Sequence, residues 1–379
     1  MKDKSLYRSI AIVIGTAIGA GIFALPYAFM KAGYFTGIFY LIALGIISLV
    51  LLKAYGEVVL RTNERSQIIG YVQRYLGPWG RGISLISFLF GITGALIAYT
   101  IQIGRFLEIL IGDRLGGNAF IYGLCFYGIA SLIILIGLRL VARFEQYLVT
   151  LLILLVGFII LVGLPKVNVS NLFTLDATNL FLPYGVVLFA LSAASAIPDS
   201  IDALPDRKKL SKVLTIGLLV PLIVYTLFTL VVVGISGGFT DEAAIPGLTP
   251  MLGQGIVAVG ALLGIMTMTT AFLSLGLVIR EIYQFDLKFP KFLAWLAGLT
   301  PPLVVYLFHL TSFISIISLV GGIMGGFDGI LIILMWRKAK KYGNRQPECT
   351  IDIPNWLQGV MILIFALGIV YELYFNVLN

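Results

Sequence analysis

The sequence predicts an all-α polytopic membrane protein with about eleven transmembrane helices. Of its 379 residues, 59% are hydrophobic and only 12% are charged, whereas a soluble domain carries about 25% charged residues. Apolar runs of about 20 residues, long enough to cross a bilayer, recur along the whole chain. Lysine and arginine gather in alternate connecting segments, as the positive-inside rule requires. These observations predict a single transmembrane domain over residues 1–379.

The apolar runs place the individual spans. They lie near 9–31, 34–59, 82–111, 119–138, 146–164, 182–203, 213–236, 255–279, 291–308, 312–335 and 356–376. With the N-terminus inside, the inside segments hold Lys2, Lys4, Arg8, Arg61, Arg65, Arg74, Arg81, Arg139, Arg143, Arg207, Lys208, Lys209, Lys212, Arg280, Lys288, Lys291, Arg337, Lys338, Lys340, Lys341 and Arg345. The outside segments keep little more than Lys31, Arg114 and Lys166. This bias predicts an N-in, C-out topology.

The first span is interrupted at its centre. Residues 10–33 read IAIVIGTAIGAGIFALPYAFMKAG, with Gly19 and Gly21 in the middle of the run. Each glycine costs about 1 kcal/mol of helix propensity, and unpaired backbone groups are tolerated in a membrane only where they line a cavity. We therefore expect two half-helices, the second of which points free amides at the membrane midplane and binds a carboxylate. A glycine-kinked packing helix is the alternative.

The sixth span contains a second interruption. Its centre is small and polar over residues 191–195 (LSAAS), and Pro198 follows within one turn. If the first ten spans divide five and five, this span opens the second half in the opposite orientation. The first repeat then covers about 9–164, the second about 182–335, and an extra helix about 356–376. Interrupted spans at matching positions of two halves are typical of secondary transporters with a midplane site. Two unrelated kinks are the alternative.

Four segments resemble the amino acid/auxin permease family and the related aromatic amino acid permeases of the amino acid-polyamine-organocation superfamily. They are GTAIGAGIFALPYAFMKAG (15–33), LFALSAASAIPD (188–199), TTAFLSLGLVIRE (269–281) and LTPPLVVYLF (299–308), and the first is the most specific. The resemblance implies a leucine-transporter-type fold, with two inverted five-helix repeats plus an eleventh helix, and ion-coupled amino acid uptake. Thr16 stands where close sodium-coupled relatives often carry asparagine, and the aromatic permeases are proton-driven. The resemblance therefore leaves the coupling ion open.

The candidate substrate contacts cluster at the two interruptions. Amides around Ala20 and Gly21 are expected to bind the carboxylate, and carbonyls near Phe189 are expected to bind the ammonium. The full set is Thr16, Ala20, Gly21, Ile22, Tyr99, Phe189, Ala190, Ser192 and Ser195. Tyr99 enters because relatives place a residue on the third span that closes over the substrate, and Gln102 is a weaker candidate beside it. The apolar lining from Ile22, Phe23, Phe189 and Ala193 predicts a neutral, hydrophobic or aromatic amino acid.

Two coupling ions are considered. The resemblance brings Thr269 and Thr270 opposite the carbonyls of Gly15 and Ile18, and these oxygens would suit sodium. Hydroxyls that bond to their own helix are the alternative. Residues 147–165 contain no lysine or arginine, whereas some proton-coupled relatives fill the sodium position with a lysine from this span, which favours sodium. Asp328 is the proton-coupling candidate, because an ionisable group inside a span is a functional hypothesis by default.

Other ionisable residues near the span ends receive simpler interpretations. Lys53 and Glu57, four residues apart, are expected to pair within their helix. Arg105 is expected to extend its side chain toward the membrane surface. Asp199 and Asp202 are expected to form a cytoplasmic gate with Arg8.

The residue content argues against several classes of function. Two cysteines and one histidine leave a zinc, haem or iron–sulfur centre almost without ligands, so no cofactor or metal is expected beyond the coupling ion. The sequence lacks a cluster of catalytic residues, a charged pore ring and a nucleotide-binding loop. We therefore predict a multi-pass transporter of the cell membrane that imports its substrate by alternating access, with the amino acid and the lipid bilayer as partners and no role for nucleic acid. A transport-inactive amino acid sensor of the same fold is the alternative.

Overall fold

The computed structural model describes residues 2–137 and 142–375, and all regular secondary structure in these ranges is helical. Leu138, Arg139 and Asn376, which the sequence predicts to lie in spans or in a basic segment, are outside the described residues. The helices are α1 (Lys2–Ala17), α2 (Gly21–Ala32), α3 (Tyr34–Leu60), α4 (Ile68–Leu115), α5 (Ala119–Ile136), α6 (Ala142–Gly163), α7 (Leu182–Ala190), α8 (Ala196–Asp202), α9 (Leu210–Ser236), α10 (Thr249–Leu252), α11 (Gln254–Glu281), α12 (Lys291–Leu307), α13 (Phe313–Tyr342) and α14 (Asn355–Leu373).

The helices have the length and composition of a polytopic membrane protein. Among the described residues, eight helices are long and apolar enough to cross a bilayer, and nine if α1 and α2 count as one bent span. Helix α12 is apolar and has 17 residues, while α7 and α8 are short helices on either side of an interruption. The prediction of a helical membrane protein is confirmed.

Helix α13 lies at the centre of the packing, against α3, α4, α7 and α14. Its glycines allow close approach of backbones, as is common between membrane helices. A Cβ atom at Gly321 would overlap the carbonyl oxygen of Gly185 in α7, and one at Gly94 of α4 would overlap Val320. Helix α13 therefore fixes the position of α7 through direct backbone contact.

Three segments that the sequence predicts to be on the inside meet at one end of the molecule, which we call the basic end (residues 61–67, 203–209 and 343–354). Asn63 N donates to Asn344 Oδ1 at 3.0 Å, and Arg345 Nη1 donates to the Leu60 carbonyl at 3.2 Å. Cys349 Sγ lies 3.0 Å from the Lys208 carbonyl oxygen. These contacts agree with the predicted grouping of the basic segments.

Glu57 is the buried anchor of this end. Its carboxylate accepts hydrogen bonds from Arg61 Nε at 2.7 Å, Trp336 Nε1 at 2.9 Å and the Ile351 amide at 2.9 Å. The predicted pair with Lys53 is therefore wrong. Glu57 pairs instead with Arg61, four residues after it, whose guanidinium lies 2.7 Å from the carboxylate. The trio of donors holds α3, α13 and the segment before α14 together.

The opposite end is formed by residues 164–181 and 237–253. Asn168 N and Asn171 Nδ2 donate to the Gly234 carbonyl at 3.0 and 2.9 Å. The guanidinium of Arg105 lies 3.5 Å from Asp241 and 3.7 Å from Glu242. Burial raises the pKa of the Glu242 carboxyl, and Arg105 opposes this shift. Arg105 thus lies within ion-pair distance of a connecting segment outside the apolar spans, and Asp241 and Glu242 are partners that the sequence did not predict.

Candidate functional site

The first predicted interruption is present in the structure. Helix α1 ends at Ala17 and α2 begins at Gly21, with a bend of 52° between them. Around the bend the Gly19 amide donates to Ala17 at 3.1 Å, and the Ile22 amide donates to Gly19 at 3.3 Å. The amides of Ala20 and Gly21 have no such acceptor in the part of the chain that the structure describes. Two adjacent donors at a helix N-terminus therefore remain available to a ligand.

The second predicted interruption is present as well. Helix α7 ends at Ala190, and α8 begins at Ala196 after five non-helical residues. The Ser192 amide donates to the Phe189 carbonyl at 3.2 Å, and the Ala196 amide donates to Ala193 at 3.2 Å. These are single tight turns, so the carbonyl end of α7 does not continue into the next helix. A helix C-terminus of this kind carries partial negative charge.

The two interruptions touch. A Cβ atom built on Gly21 would lie 2.7 Å from Ala190 Cα and 2.8 Å from Ala190 Cβ. Helix α2 packs against α7, and α1 packs against α8. The positive N-terminus of α2 therefore adjoins the negative C-terminus of α7. This arrangement is complementary to a zwitterion, whose carboxylate and ammonium are a few bonds apart.

Tyr225 connects the two interruptions from α9. Its side chain is completely buried, and its hydroxyl oxygen lies 2.6 Å from the Ala17 carbonyl oxygen and 3.1 Å from the Ala190 carbonyl oxygen. These carbonyls belong to the last residues of α1 and α7. Sequence reasoning missed this residue, because a tyrosine in an apolar helix carries no local signal that distinguishes it from a packing aromatic.

Hydroxyl side chains at the two interruptions are exposed, and α8 contacts the basic end. Thr16, Ser192 and Ser195 are exposed. Further along α8, Arg65 Nη2 pairs with Asp199 at 2.8 Å and Asp202 at 2.9 Å. The prediction that Arg8 pairs with these carboxylates is therefore wrong, because Arg65 in the loop between α3 and α4 does so.

The side chains that follow the first interruption are apolar and buried. Ile22 and Phe23 on α2 are buried, as is Phe106 on α4. The rings of Phe23 and Phe106 meet edge to face, with centroids 5.4 Å apart and an interplanar angle of 74°. The first turn of α2 is thus packed against α4 through this pair of aromatic rings.

The remaining predicted residues lie on several helices. The Thr16 hydroxyl donates to Ile12 of its own helix at 3.0 Å, and the Thr270 hydroxyl donates to Thr267 at 2.8 Å. Thr269 is partly buried on α11, which packs against α4, α5, α6 and α12. A Cβ at Gly15 would face Val149 of α6 at 3.8 Å. The hydroxyl oxygens can still accept or coordinate, so the sodium site stays a prediction.

Three predicted residues are buried or partly buried around the site. Ile18, next to the first interruption, is completely buried, and Tyr99 on α4 is buried. Asp328 on α13 is partly buried. The Tyr55 hydroxyl on α3 is buried and has no hydrogen-bond partner among the described residues. Helix α13, which carries Asp328, packs against α3, which carries Tyr55.

Comparison with known proteins gives a family match and two relatives that align over most of the chain. A sequence profile of the tryptophan/tyrosine permease family matches residues 2–374. The chain is 24% identical over 359 residues to tyrosine-specific transport system 1 of Haemophilus influenzae, covering 89% of each chain. It is also 24% identical over 370 residues to tyrosine-specific transport system 2 of that organism, covering 89% of this chain and 88% of the relative. A shorter match, 29% identical over 110 residues, joins 28% of this chain to 20% of neutral amino acid transporter 9 of Xenopus tropicalis.

Proposed function

Because the chain belongs to the tryptophan/tyrosine permease family, we propose that it is an ion-coupled symporter that imports neutral, hydrophobic or aromatic amino acids. As a permease of this family it is a multi-pass integral membrane protein and a transporter rather than an enzyme. The observation that carries the proposal is the contact between the two interruptions, where Gly21 meets Ala190. Tyrosine is the first substrate to test, since two relatives are tyrosine-specific transport systems.

We propose that the fold is of the leucine-transporter type, with eleven spans and N-in, C-out orientation. In this arrangement α1 with α2 forms the first span, α7 with α8 the sixth, α12 the ninth and α14 the eleventh. The two repeats cover about 9–164 and 182–335, and each begins with an interrupted span. The basic end then faces the cytoplasm.

We propose that the amides of Ala20 and Gly21 bind the carboxylate of the amino acid. The carbonyl end of α7 at Phe189, Ala190 and Ser192 binds the ammonium. Thr16 and Ser195 contribute hydroxyls, while Ile22 and Tyr99 contact the side chain. The pairing of helix ends supports this assignment, because both charges of the zwitterion then meet a helix dipole of opposite sign.

We propose that Tyr225 holds the two interruptions in a fixed position relative to each other. Tyr225→Phe removes only the hydroxyl, so the carbonyls of Ala17 and Ala190 lose their shared partner, and we expect affinity for tyrosine to fall by about three- to tenfold. Equilibrium binding of labelled tyrosine to purified protein measures this. Tyr127→Phe is the matched control, because it removes a buried hydroxyl that lies 2.5 Å from the Leu299 carbonyl oxygen, between α5 and α12. Equal affinities of Tyr225→Phe and Tyr127→Phe for tyrosine would contradict a positioning role of the Tyr225 hydroxyl.

We propose the proton as the coupling ion, carried by Asp328, with sodium at Gly15, Ile18, Thr269 and Thr270 as the alternative. The proposal is supported by the position of Asp328, which is partly buried on α13, the helix that packs against α3, α4, α7 and α14. Asp328→Asn keeps the shape of the side chain but cannot carry a proton. We expect this variant to exchange tyrosine across the membrane and to lose proton-driven accumulation. Sodium-driven accumulation by the wild type and by Asp328→Asn alike would instead favour the threonine site.

Counterflow tests the transport function itself. Proteoliposomes preloaded with unlabelled tyrosine are diluted into labelled tyrosine without an ion gradient, and entry of label is measured. A transporter is expected to take up label transiently above the level of empty liposomes. A sensor of the same fold would bind tyrosine in solution and give no entry of label.

A further inference from the structure

Gln102 on α4 is a polar side chain with unmet hydrogen-bonding capacity. The residue is completely buried, and neither its Oε1 nor its Nε2 has a hydrogen-bond partner among the described residues. A buried carboxamide without partners is costly, because it has lost water and gained nothing in return. Thr100, two residues earlier and also buried, does have a hydrogen-bond partner, since its hydroxyl donates to the Leu96 carbonyl at 2.7 Å.

The helical position of Gln102 directs it toward the site. Residues four apart share a helix face, so Gln102 lies on the same face as Phe106, whose ring packs against Phe23 of α2. Tyr99 is three residues before Gln102 and shares this face. Gly94, further round the helix, contacts α13, because a Cβ there would overlap Val320. Gln102 therefore faces the space bordered by α2 and α13, next to the N-terminal half of α2 that begins at the first interruption.

We propose that Gln102 is the specificity-determining residue that hydrogen-bonds the polar group on the ring of an aromatic amino acid. This inference rests on the proposed function and assigns its substrate class more narrowly. The Oε1 atom can accept from a phenol O–H or an indole N–H, and Nε2 can donate to a phenol oxygen. Tyrosine and tryptophan thus satisfy the carboxamide, whereas phenylalanine and leucine leave it unpaired.

The unpaired state explains how one residue gives discrimination. A site whose buried polar groups are paired only by the correct substrate rejects the analogue that lacks the polar group. The cost of the orphaned carboxamide is present in the empty protein and with phenylalanine bound, and it is relieved when tyrosine binds. The ring of Phe23 on α2, which packs against Phe106, offers no competing hydrogen-bond partner.

The test compares tyrosine with phenylalanine, which differ by one hydroxyl. In proteoliposome uptake we expect the wild type to show a KM for tyrosine about tenfold or more below that for phenylalanine. Gln102→Met has a similar length and no hydrogen-bonding amide, so the preference is expected to shrink to within about twofold, through a higher KM for tyrosine. The KM for phenylalanine is expected to stay unchanged. Thr100→Val is the matched control on the same helix and is expected to keep the wild-type preference.

A second measurement separates this role from a structural one. Removing an orphaned polar group from an apolar site does not destabilise the protein, so purified Gln102→Met without ligand is expected to unfold at the wild-type temperature or above it. Tyrosine is then expected to raise the unfolding temperature of Gln102→Met no more than phenylalanine does. This comparison tests the role of Gln102 in specificity even if the variant is transport-inactive. A tyrosine preference that persists in Gln102→Met, or a wild type that does not distinguish the two, would overturn the inference while transport stands. A wild type that neither transports nor binds any amino acid would overturn the proposed function itself.

Discussion

Gly21→Ala is expected to abolish saturable tyrosine uptake and to weaken tyrosine binding by at least about tenfold. The added Cβ would lie 2.7 Å from Ala190 Cα and 3.3 Å from Ala190 N, and these are backbone atoms that no side-chain rotation can move aside. The two interruptions must therefore separate, and the free amides move away from the end of α7. Binding of labelled tyrosine to purified protein measures the loss directly.

The control for this variant is another glycine in a membrane helix. Gly128→Ala on α5 adds a Cβ that meets nothing within 4 Å, so it is expected to bind and transport as the wild type does. Both variants gain helix propensity relative to glycine, which removes that explanation for a difference. If Gly21→Ala bound tyrosine with wild-type affinity, the first interruption would be only a packing kink.

Gly321→Ala is expected to cause the largest loss of stability among single methyl additions at the site. Its Cβ would overlap the Gly185 carbonyl oxygen and lie 2.7 Å from the Phe189 amide nitrogen. Overpacking of this kind costs about 1–3 kcal/mol, and here it also displaces the end of α7 that carries Phe189 and Ala190. We expect a lower thermal unfolding temperature of the purified protein together with weaker tyrosine binding.

Gly325→Ala is the matched control for this effect, one helical turn along the same face of α13. Its Cβ would meet the Leu188 side chain, at 3.3 Å from Cβ, rather than the backbone of α7. A small adjustment of a side chain is expected to cost less than a shift of a helix. Comparable unfolding temperatures for the two variants would contradict the claim that α13 sets the position of α7 by backbone contact.

The sequence was sufficient to predict the helices and both interruptions. Glycine and proline in long apolar runs are local signals, so the ends of α1 and α2 and of α7 and α8 could be read from residues 15–21 and 191–198. The apolar runs likewise marked the long helices. These features depend on neighbours in the chain, which a sequence displays directly.

Contacts between distant segments could not be predicted in this way. Glu57 has a lysine four residues before it and an arginine four residues after it, and only packing against Trp336 decides which one pairs. Tyr225 meets Ala17, which is 208 residues away in the chain. Asp199 pairs with Arg65 rather than Arg8 because of where the loop after α3 folds. Such partners follow from tertiary structure, so composition and spacing left them open.

The most direct test of the central claim is net accumulation of labelled tyrosine in proteoliposomes of the wild type and Gly21→Ala, with an inward gradient of protons or of sodium imposed in turn. We expect the wild type to concentrate tyrosine above the external level under one gradient, and we propose the proton gradient. We expect Gly21→Ala to show no accumulation under either. Tyrosine binding without flux under both gradients would contradict the transporter account and leave a sensor of the same fold. Equal accumulation by the two proteins would contradict the claim that the substrate lies where the two interrupted helices meet.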